Sequence, residues 1–443
     1  MQVKSYNKFF FLSLISRLNK VGLKYAIVGD YNNLPESVGH DIDVWTDDVN
    51  AFRKILYKAI QISGCHVLID NRTANGCNVV FYKREGDELT FMKVDVMVDT
   101  AWKSVLTLID STMTRKGVRQ YKDFYVMGPE VEALGHFLYP MFEWGFIKKN
   151  IYKKEIKDNC RSNVFQETFT RLWGEDTACY LISLIEAEKW DTIKRIMPKL
   201  KRKAFIKGLF KLNTWKNIFT TIYYIIRRWM KPSGKCIAFC GLDGAGKTTI
   251  LDELNAIFIN ILKRKKVYYG YWRPFVLPEI RELFGKKNSK CGVDLQAQKG
   301  VTVVQSEKEP KNMIVSLIKL MYYWTDYLLS PLKLGGIHSR GGIILFDRHY
   351  VDMAVHPQRF EMRLPRWLIL LYYKFIPKAD YTFFLYCTPD EILQRKQEFT
   401  KVEIEKQIEL YNKVGRNIKN FIPIHTNTTV AKEIDEILLH IAK

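Results

Sequence analysis

No run in this sequence reaches the roughly 18 uninterrupted apolar residues that a membrane-crossing helix needs. The nearest approach, "MIVSLIKLMYYWTDYLLSPLKLGGI", is broken by Lys319 and Asp326. The eight cysteines (65, 77, 160, 179, 236, 240, 291 and 387) contain no Cys-x-x-Cys pair, and no histidine is spaced to complete a zinc site with them. That scatter argues against a disulfide framework and for reduced thiols in a cytoplasmic protein. Internal repeats and low-complexity tracts are also missing, which excludes solenoids. The opening "MQVKSYNKFFFLSLISRLNKVG" lacks a small-residue cleavage site, and its apolar positions are interrupted at helical intervals, so it reads as the first helix of a domain. Acidic residues are the scarcer charge. Lys and Arg number 69 against 47 Asp and Glu, a formal charge of +22, which favours anionic partners: nucleotides, nucleic acid, phosphorylated sugars or anionic membranes.

What is present is enough apolar material for two or three domains: 443 residues, 47% hydrophobic and 14% aromatic. Over residues 1–130 the stretches "YAIVGD", "DIDVWT", "NVVFYKR" and "FMKVDVMVD" read as short strands among helices, the pattern of a small mixed-sheet α+β domain. From 131 to 230 only helical periodicity remains, which predicts a helical connector or accessory region. Pro232-Ser233-Gly234 then punctuates the chain, and "KCIAFC", "KKVYYGYW", "GGIILFDR" and "DYTFFLYC" read as apolar strands separated by helix-length segments. Residues 231–443 are therefore expected to form an α/β domain with a parallel sheet.

The stretch "CGLDGAGKTTI" satisfies G-x-x-x-x-G-K-[ST] with Gly241, Gly246, Lys247 and Thr248. Glycines there let successive backbone N–H groups turn inward around phosphate oxygens, and the following helix adds its positive N-terminus. Lys247 is expected to reach the β- and γ-phosphates of ATP, and Thr248 to ligate Mg²⁺. "IILFDRHY" supplies a second carboxylate, Asp347, where a neighbouring parallel strand ends, and Arg348 follows it to hold an acceptor phosphate or a developing charge.

These residues resemble a known family. "GLDGAGKTT" is similar to the P-loop of thymidylate kinases, "FDRHYVD" resembles their Asp-Arg-Tyr motif, and "PDEILQRKQE" resembles the helix leading into their lid. "YWRP", "FDRHYVDMAVHPQRF" and "RKQE…Y" resemble more closely a thymidylate kinase-like branch associated with bacterial surface-polysaccharide biosynthesis. The likeness spans about residues 232 to 443. It implies a P-loop kinase fold and an ATP cradle of Gly241, Gly244, Gly246, Lys247, Thr248 and Thr249. It also implies Asp347 in the metal shell, Arg348 and Asp243 facing the acceptor, and Arg395 with Lys396 approaching the phosphoryl group from the lid. A dimer through helices flanking the kinase sheet is a further implication. Thymidylate kinases carry Arg-Glu-Pro where this chain has Tyr271-Trp272-Arg273-Pro274, and the lid is shortened to "QEFTKVEIEKQ". Both departures fall on the acceptor side, so the acceptor stays open between a dTMP-like nucleotide and a sugar-type molecule. A hydroxyl acceptor would need a base, Asp243 or Asp347.

In the N-terminal part, "YAIVGDYNNLPESVGHDIDVWTDD" sets a turn at Gly29 before Asp41 and Asp43, which strand alternation points to one face. Asp95, in "FMKVDVMVD", offers a third carboxylate, and three such groups suit a two-metal site. The arrangement resembles the nucleotidyltransferase superfamily over residues 20 to about 100, with Asp30 replacing the usual small residue after the glycine. Together the halves predict a two-enzyme fusion, with one domain phosphorylating a small molecule and the other attaching a nucleotidyl group. Competing readings are a nucleotide-binding scaffold without turnover and a nucleotidyltransferase acting on nucleic acid, for which no reader motif is visible. The basic, aromatic segment 199–231 is compatible with an anionic membrane surface, nucleic acid or an inter-domain helix.

Overall fold

A computed structural model of the chain describes residues 5–280, 312–395 and 400–442. Cys291, Lys396 and part of the shortened lid lie outside the described residues. Two compact units emerge, one of Met1–Lys83 with Thr90–Arg227, the other of Arg84–Leu89 with Arg228–Lys443.

The first unit is built on a mixed seven-stranded sheet in the order β3-β4-β5-β2-β1-β9-β8. Its strands are β1 (Tyr25–Val28), β2 (Asp41–Thr46), β3 (His66–Thr73), β4 (Gly76–Glu85), β5 (Glu88–Met97), β8 (Val118–Tyr121) and β9 (Phe124–Met127), while β6 (Thr100–Trp102) and β7 (Leu106–Ile109) form a separate hairpin. Alternation along β2 explains why the sheet is covered on both faces. Ile42 and Val44 pack into a core with helices α1 (Ser5–Val21) and α2 (Val49–Ile62), whereas Trp45 joins a second core on the opposite face. Helix α2 presents Phe52, Ile55, Leu56, Ala59 and Ile60 to the first of these, the i, i+3, i+4 spacing of one helical face. Asp48 caps it by accepting from the N–H groups of Asn50 and Ala51, a contact worth about 1 kcal/mol.

The short helix α3 (Ser111–Lys116) precedes β8. No strand occurs among residues 131–230, which form α4 (Pro129–Glu143), α5 (Asn150–Asn159), α6 (Asn163–Trp173), α7 (Glu175–Glu186), α8 (Trp190–Leu209) and α9 (Leu212–Met230). Leu134, Phe137, Phe169, Leu181 and Met197 from these helices share the second core with Ala26, Trp45 and Met127 of the sheet.

The second unit holds an all-parallel five-stranded sheet, compatible with a P-loop fold. Its order is β11-β12-β10-β13-β14, from β10 (Lys235–Gly241), β11 (Val267–Tyr271), β12 (Ile343–Asp347), β13 (Tyr381–Tyr386) and β14 (Phe421–His425). The four apolar runs each contain one of these strands. The fifth, β14, carries Pro423, which is tolerated because β14 pairs only with β13 at the sheet edge. The first strand of the unit, β10, is central. The chain runs from β10 out to β11 and back through β12, then crosses to β13 and β14 on the other side, and the carboxyl end of a strand at which the order reverses is where open α/β sheets bind ligands. Among the described residues no helix is long and apolar enough to cross a membrane.

Candidate functional site

Strand β10 ends at Gly241, whose φ is +139° and whose added Cβ would lie 2.2 Å from the Leu385 carbonyl oxygen on β13. Only glycine fits there, so the close pairing of β10 with β13 dictates the residue that opens the loop. Gly246 takes the left-handed conformation at φ +78° and feeds helix α10 (Lys247–Leu262), whose first turn carries the exposed Thr248 and Thr249. Two side chains from later in the chain hold the loop. Arg395 donates to Gly244 O at 3.1 Å. The buried Thr426, just past β14, donates its hydroxyl to Ala245 O at 3.1 Å and its N–H to Tyr386 O at 2.8 Å.

Lys247 lies buried under this loop and donates to Gly241 O at 3.0 Å and Leu242 O at 2.5 Å. Burial, then the positive charge of Arg348, pulls its pKa down to about 8 against the opposing pull of Asp243 and Asp347. Asp243 accepts from both Arg348 and Arg359. Burial alone would raise its pKa, but Arg348, Lys247 and Arg359 together hold it far below the usual carboxylate range. A carboxylate so stabilised is a poor proton acceptor at neutral pH.

Arg348 follows β12 in a left-handed conformation (φ +70°), fixed by its N–H to Phe239 O at 2.8 Å. Its guanidinium is buried and also reaches Asp352 at 3.4 Å. Asp352, itself fully buried, accepts in addition from the Tyr411 hydroxyl at 2.8 Å and the His349 N–H at 2.9 Å. Arg348 is thus locked from two sides. Asp347 pairs in register with Phe239 of β10, and burial raises its pKa despite Lys247 and Arg348. Its buried Oδ1 has no hydrogen-bond partner among the described residues. An unpartnered carboxylate oxygen beside a phosphate-type loop suits a hard cation that takes oxygen ligands, and Thr248 on α10 offers a second such oxygen.

The stretch Tyr271–Pro274 turns its charged residue inward. Arg273 is almost fully buried and is consumed by Asp326 at 3.2 Å and by the carbonyls of Leu277 (3.1 Å) and Pro278 (3.2 Å). Asp326, which on sequence merely interrupts an apolar run, also accepts from the N–H groups of Phe275 and Leu277. The pair organises the turn after β11. The free end of this stretch is Tyr271, half-buried and facing Arg348 and Asp347.

In the first unit, β2 and β5 run parallel with Asp43 opposite Asp95, and one carboxylate oxygen from each of Asp41, Asp43 and Asp95 lies within 4.8 Å of the others. Lys93 enters the cluster. Its ammonium sits 3.0 Å from Asp41 Oδ1 and also contacts Asp95, which in turn accepts from Asn78. Burial opposes the Lys93 charge, but the two carboxylates outweigh it and raise its pKa. The Gly29 N–H donates to Glu132 of α4 at 2.7 Å, and burial lifts the Glu132 pKa to about 7.

The structure therefore brings Asp243, Lys247, Asp347 and Arg348 together, sets Gly241, Gly244, Gly246, Thr248, Thr249 and Arg395 around the same loop, and clusters Asp41, Asp43 and Asp95. Arg359, Asp352, Thr426 and Lys93 were given no role by sequence. Arg359 and Asp352 fall within "FDRHYVDMAVHPQRF", but nothing in their spacing says that both turn back onto the Asp243–Arg348 pair.

No family model and no curated protein matches the chain. Among solved structures, one that matches is a thymidylate kinase from Ehrlichia chaffeensis, at 16% identity and a TM-score of 0.31, covering 47% of this chain and 100% of the other. A score of that size leaves the functional reading to rest on the loop and its neighbours.

Proposed function

We propose that the second unit is an ATP- and Mg²⁺-dependent phosphotransferase of the thymidylate kinase-like type, acting on a nucleoside monophosphate or a sugar-type acceptor. The observation that carries this reading is the strand–loop–helix turn of Gly241–Lys247, with the unpartnered oxygen of Asp347 on the adjacent strand. In this reading the loop N–H groups and Lys247 bind and orient the triphosphate, and Thr248 and Asp347 hold the metal. Mg²⁺, when bound, neutralises charge on the transferring phosphoryl group. Arg348 is pre-oriented by Asp243 and Asp352, so it meets the acceptor without having to be ordered first. Arg395, already against the loop at Gly244, approaches from the lid side. Asp243, held ionised by two guanidinium groups, is a poor base for a hydroxyl acceptor.

The first unit is proposed to be nucleotidyltransferase-like, with Asp41, Asp43 and Asp95 as its metal ligands. Chemical coupling of the two units, one phosphorylating what the other then nucleotidylates, is a hypothesis motivated by their fusion alone; a kinase product that the first unit never consumes would count against it.

The test is an acceptor screen with the full chain, γ-labelled ATP and Mg²⁺, using nucleoside monophosphates, sugars and sugar phosphates, with Lys247→Ala as blank. Label on dTMP or on a sugar selects the acceptor class. No Lys247-dependent label on any acceptor sinks the phosphotransferase reading.

A further inference from the structure

Helix α9 is inside-out. At 100° per residue, Leu212, Trp215, Phe219, Ile222, Tyr223 and Ile226 fall within an arc of about 100°, a complete apolar face. All six are exposed, Leu212 at 87% and Phe219 at 66%. The opposite, polar face is the one that docks. Asn217 donates to Val105 O and Thr107 Oγ1, both at 3.1 Å, Thr221 donates to Ser104 O at 3.1 Å, and Thr214 is the buried residue of the helix. A surface helix of a globular protein ordinarily does the reverse, and a contiguous exposed apolar face marks an interaction site.

The charge beside this face is of one sign. From Thr192 to Arg227 the chain carries ten lysines and arginines and no Asp or Glu. Lys216 lies at the edge of the apolar arc, and next to it opens a cavity of about 450 Å³ lined by Arg171, Lys207, Lys211, Asn213 and Lys216. Of the carboxylates on its wall, Asp110 is committed to capping α3 through the Met113 N–H at 2.9 Å. Arg171 donates to the carbonyls of Thr107 and Leu108, its buried Nε has no acceptor among the described residues, and burial together with the Arg171 and Lys207 charges lowers the Lys211 pKa against the pull of Asp110. Four cations, Arg171, Lys207, Lys211 and Lys216, share the wall with two carboxylates, Asp99 and Asp110, which leaves the cavity net positive at the margin of an apolar stripe.

We infer that α9 docks on an anionic bilayer, its apolar face entering the interface while the cavity of Arg171, Lys207, Lys211 and Lys216 receives a lipid phosphate. The chemistry selects this occupant. A second copy in a two-fold arrangement would press like charges together. Trp215, Phe219 and Tyr223 give bases a stacking platform, but Leu212, Ile222 and Ile226 between them make the stripe continuously apolar, which an acyl interface buries and a polyanion does not. An interfacial helix wants this pairing of an apolar face with flanking cations.

The test is co-sedimentation of the full chain with vesicles of phosphatidylcholine alone and of phosphatidylcholine mixed with phosphatidylglycerol, at low and high salt. Binding should require phosphatidylglycerol and weaken with salt. The double variant Phe219→Asp/Ile226→Asp changes only exposed positions. It and Lys207→Glu/Lys211→Glu should each lower partitioning by about tenfold or more, with circular dichroism unchanged. The inference is overturned if wild type ignores phosphatidylglycerol vesicles or binds both kinds equally. It is also overturned if the aspartate pair instead converts a dimer to a monomer. Equal competition by inorganic phosphate or RNA, with the aspartate variant still binding vesicles like wild type, would assign the cavity to a soluble anion and overturn it too.

Discussion

The guanidinium of Arg348 grips the carboxylate of Asp243 although 105 residues separate them in the chain. One belongs to the loop after β10 and the other to the end of β12, so the contact ties the phosphate-type loop to the neighbouring strand. Because the folded pKa of Asp243 is depressed, its contribution to stability is full above the unfolded value of about 3.9 and is lost as pH falls through the folded value. Asp243→Asn should destabilise the second unit by about 1–3 kcal/mol at neutral pH, since it removes one of the two carboxylates that hold the buried Arg348 and leaves Asp352 alone to pair it. The gap to wild type should narrow in acid. Urea denaturation at several pH values measures both; a gap that widens on acidification would contradict the assignment.

Lys247 is expected to trade stability for function. Its folded pKa of about 8 lies below the roughly 10.4 of unfolded lysine, so the unfolded chain holds the proton more tightly and stability rises with pH between those values. Lys247→Met should therefore gain on the order of 1 to 3 kcal/mol at pH 7, a gain that fades toward pH ~10. The same substitution should reduce phosphoryl transfer by about 100-fold or more. Thermal scans across pH, beside initial rates, separate the two effects.

Arg273 and Arg359 make a contrasting pair. Arg273→Ala leaves Asp326 buried and uncompensated and should cost about 3–5 kcal/mol, seen as a large fall in Tm. Arg359 is partly exposed, and Arg359→Ala should cost about 1 kcal/mol or less while raising the KM for the acceptor. A stable Arg273 variant would contradict the structural role given to its pair with Asp326.

Lys93 occupies the position among Asp41 and Asp95 that a divalent cation would compete for. Lys93→Met should tighten Mn²⁺ binding to the first unit by about tenfold, because a like charge within a few ångströms is removed. Asp43→Asn should abolish it. Electron paramagnetic resonance titration of free Mn²⁺ reads both directly, without requiring turnover.

Much of this architecture was legible in the chain because apolar runs and turn residues agree. "KCIAFC" runs into the glycine that the close approach of Leu385 demands, and "IILFD" ends on the carboxylate at the carboxyl edge of the sheet. What escaped was whatever depends on partners far along the chain. Pro423 disguised β14, and the polar "VRQY" disguised the edge strand β8. Lys93 is a lone cation between valine and methionine, with no sign in the sequence that it bridges two aspartates. That Arg273 pairs with Asp326 was equally hidden, because its partner is 53 residues away inside a helix.

The clamp of Thr426 on Ala245 has a consequence in time. The loop leaves the ribosome 181 residues before the hydroxyl that fastens it, and β10 waits more than a hundred residues for both flanking strands, β12 and β13. A nascent chain that has completed its first unit, and even its Gly-rich turn, still has no finished cradle. The loop is thus fastened only once β14 and the residue after it have been made, which ties its final shape to the closing of that edge of the sheet.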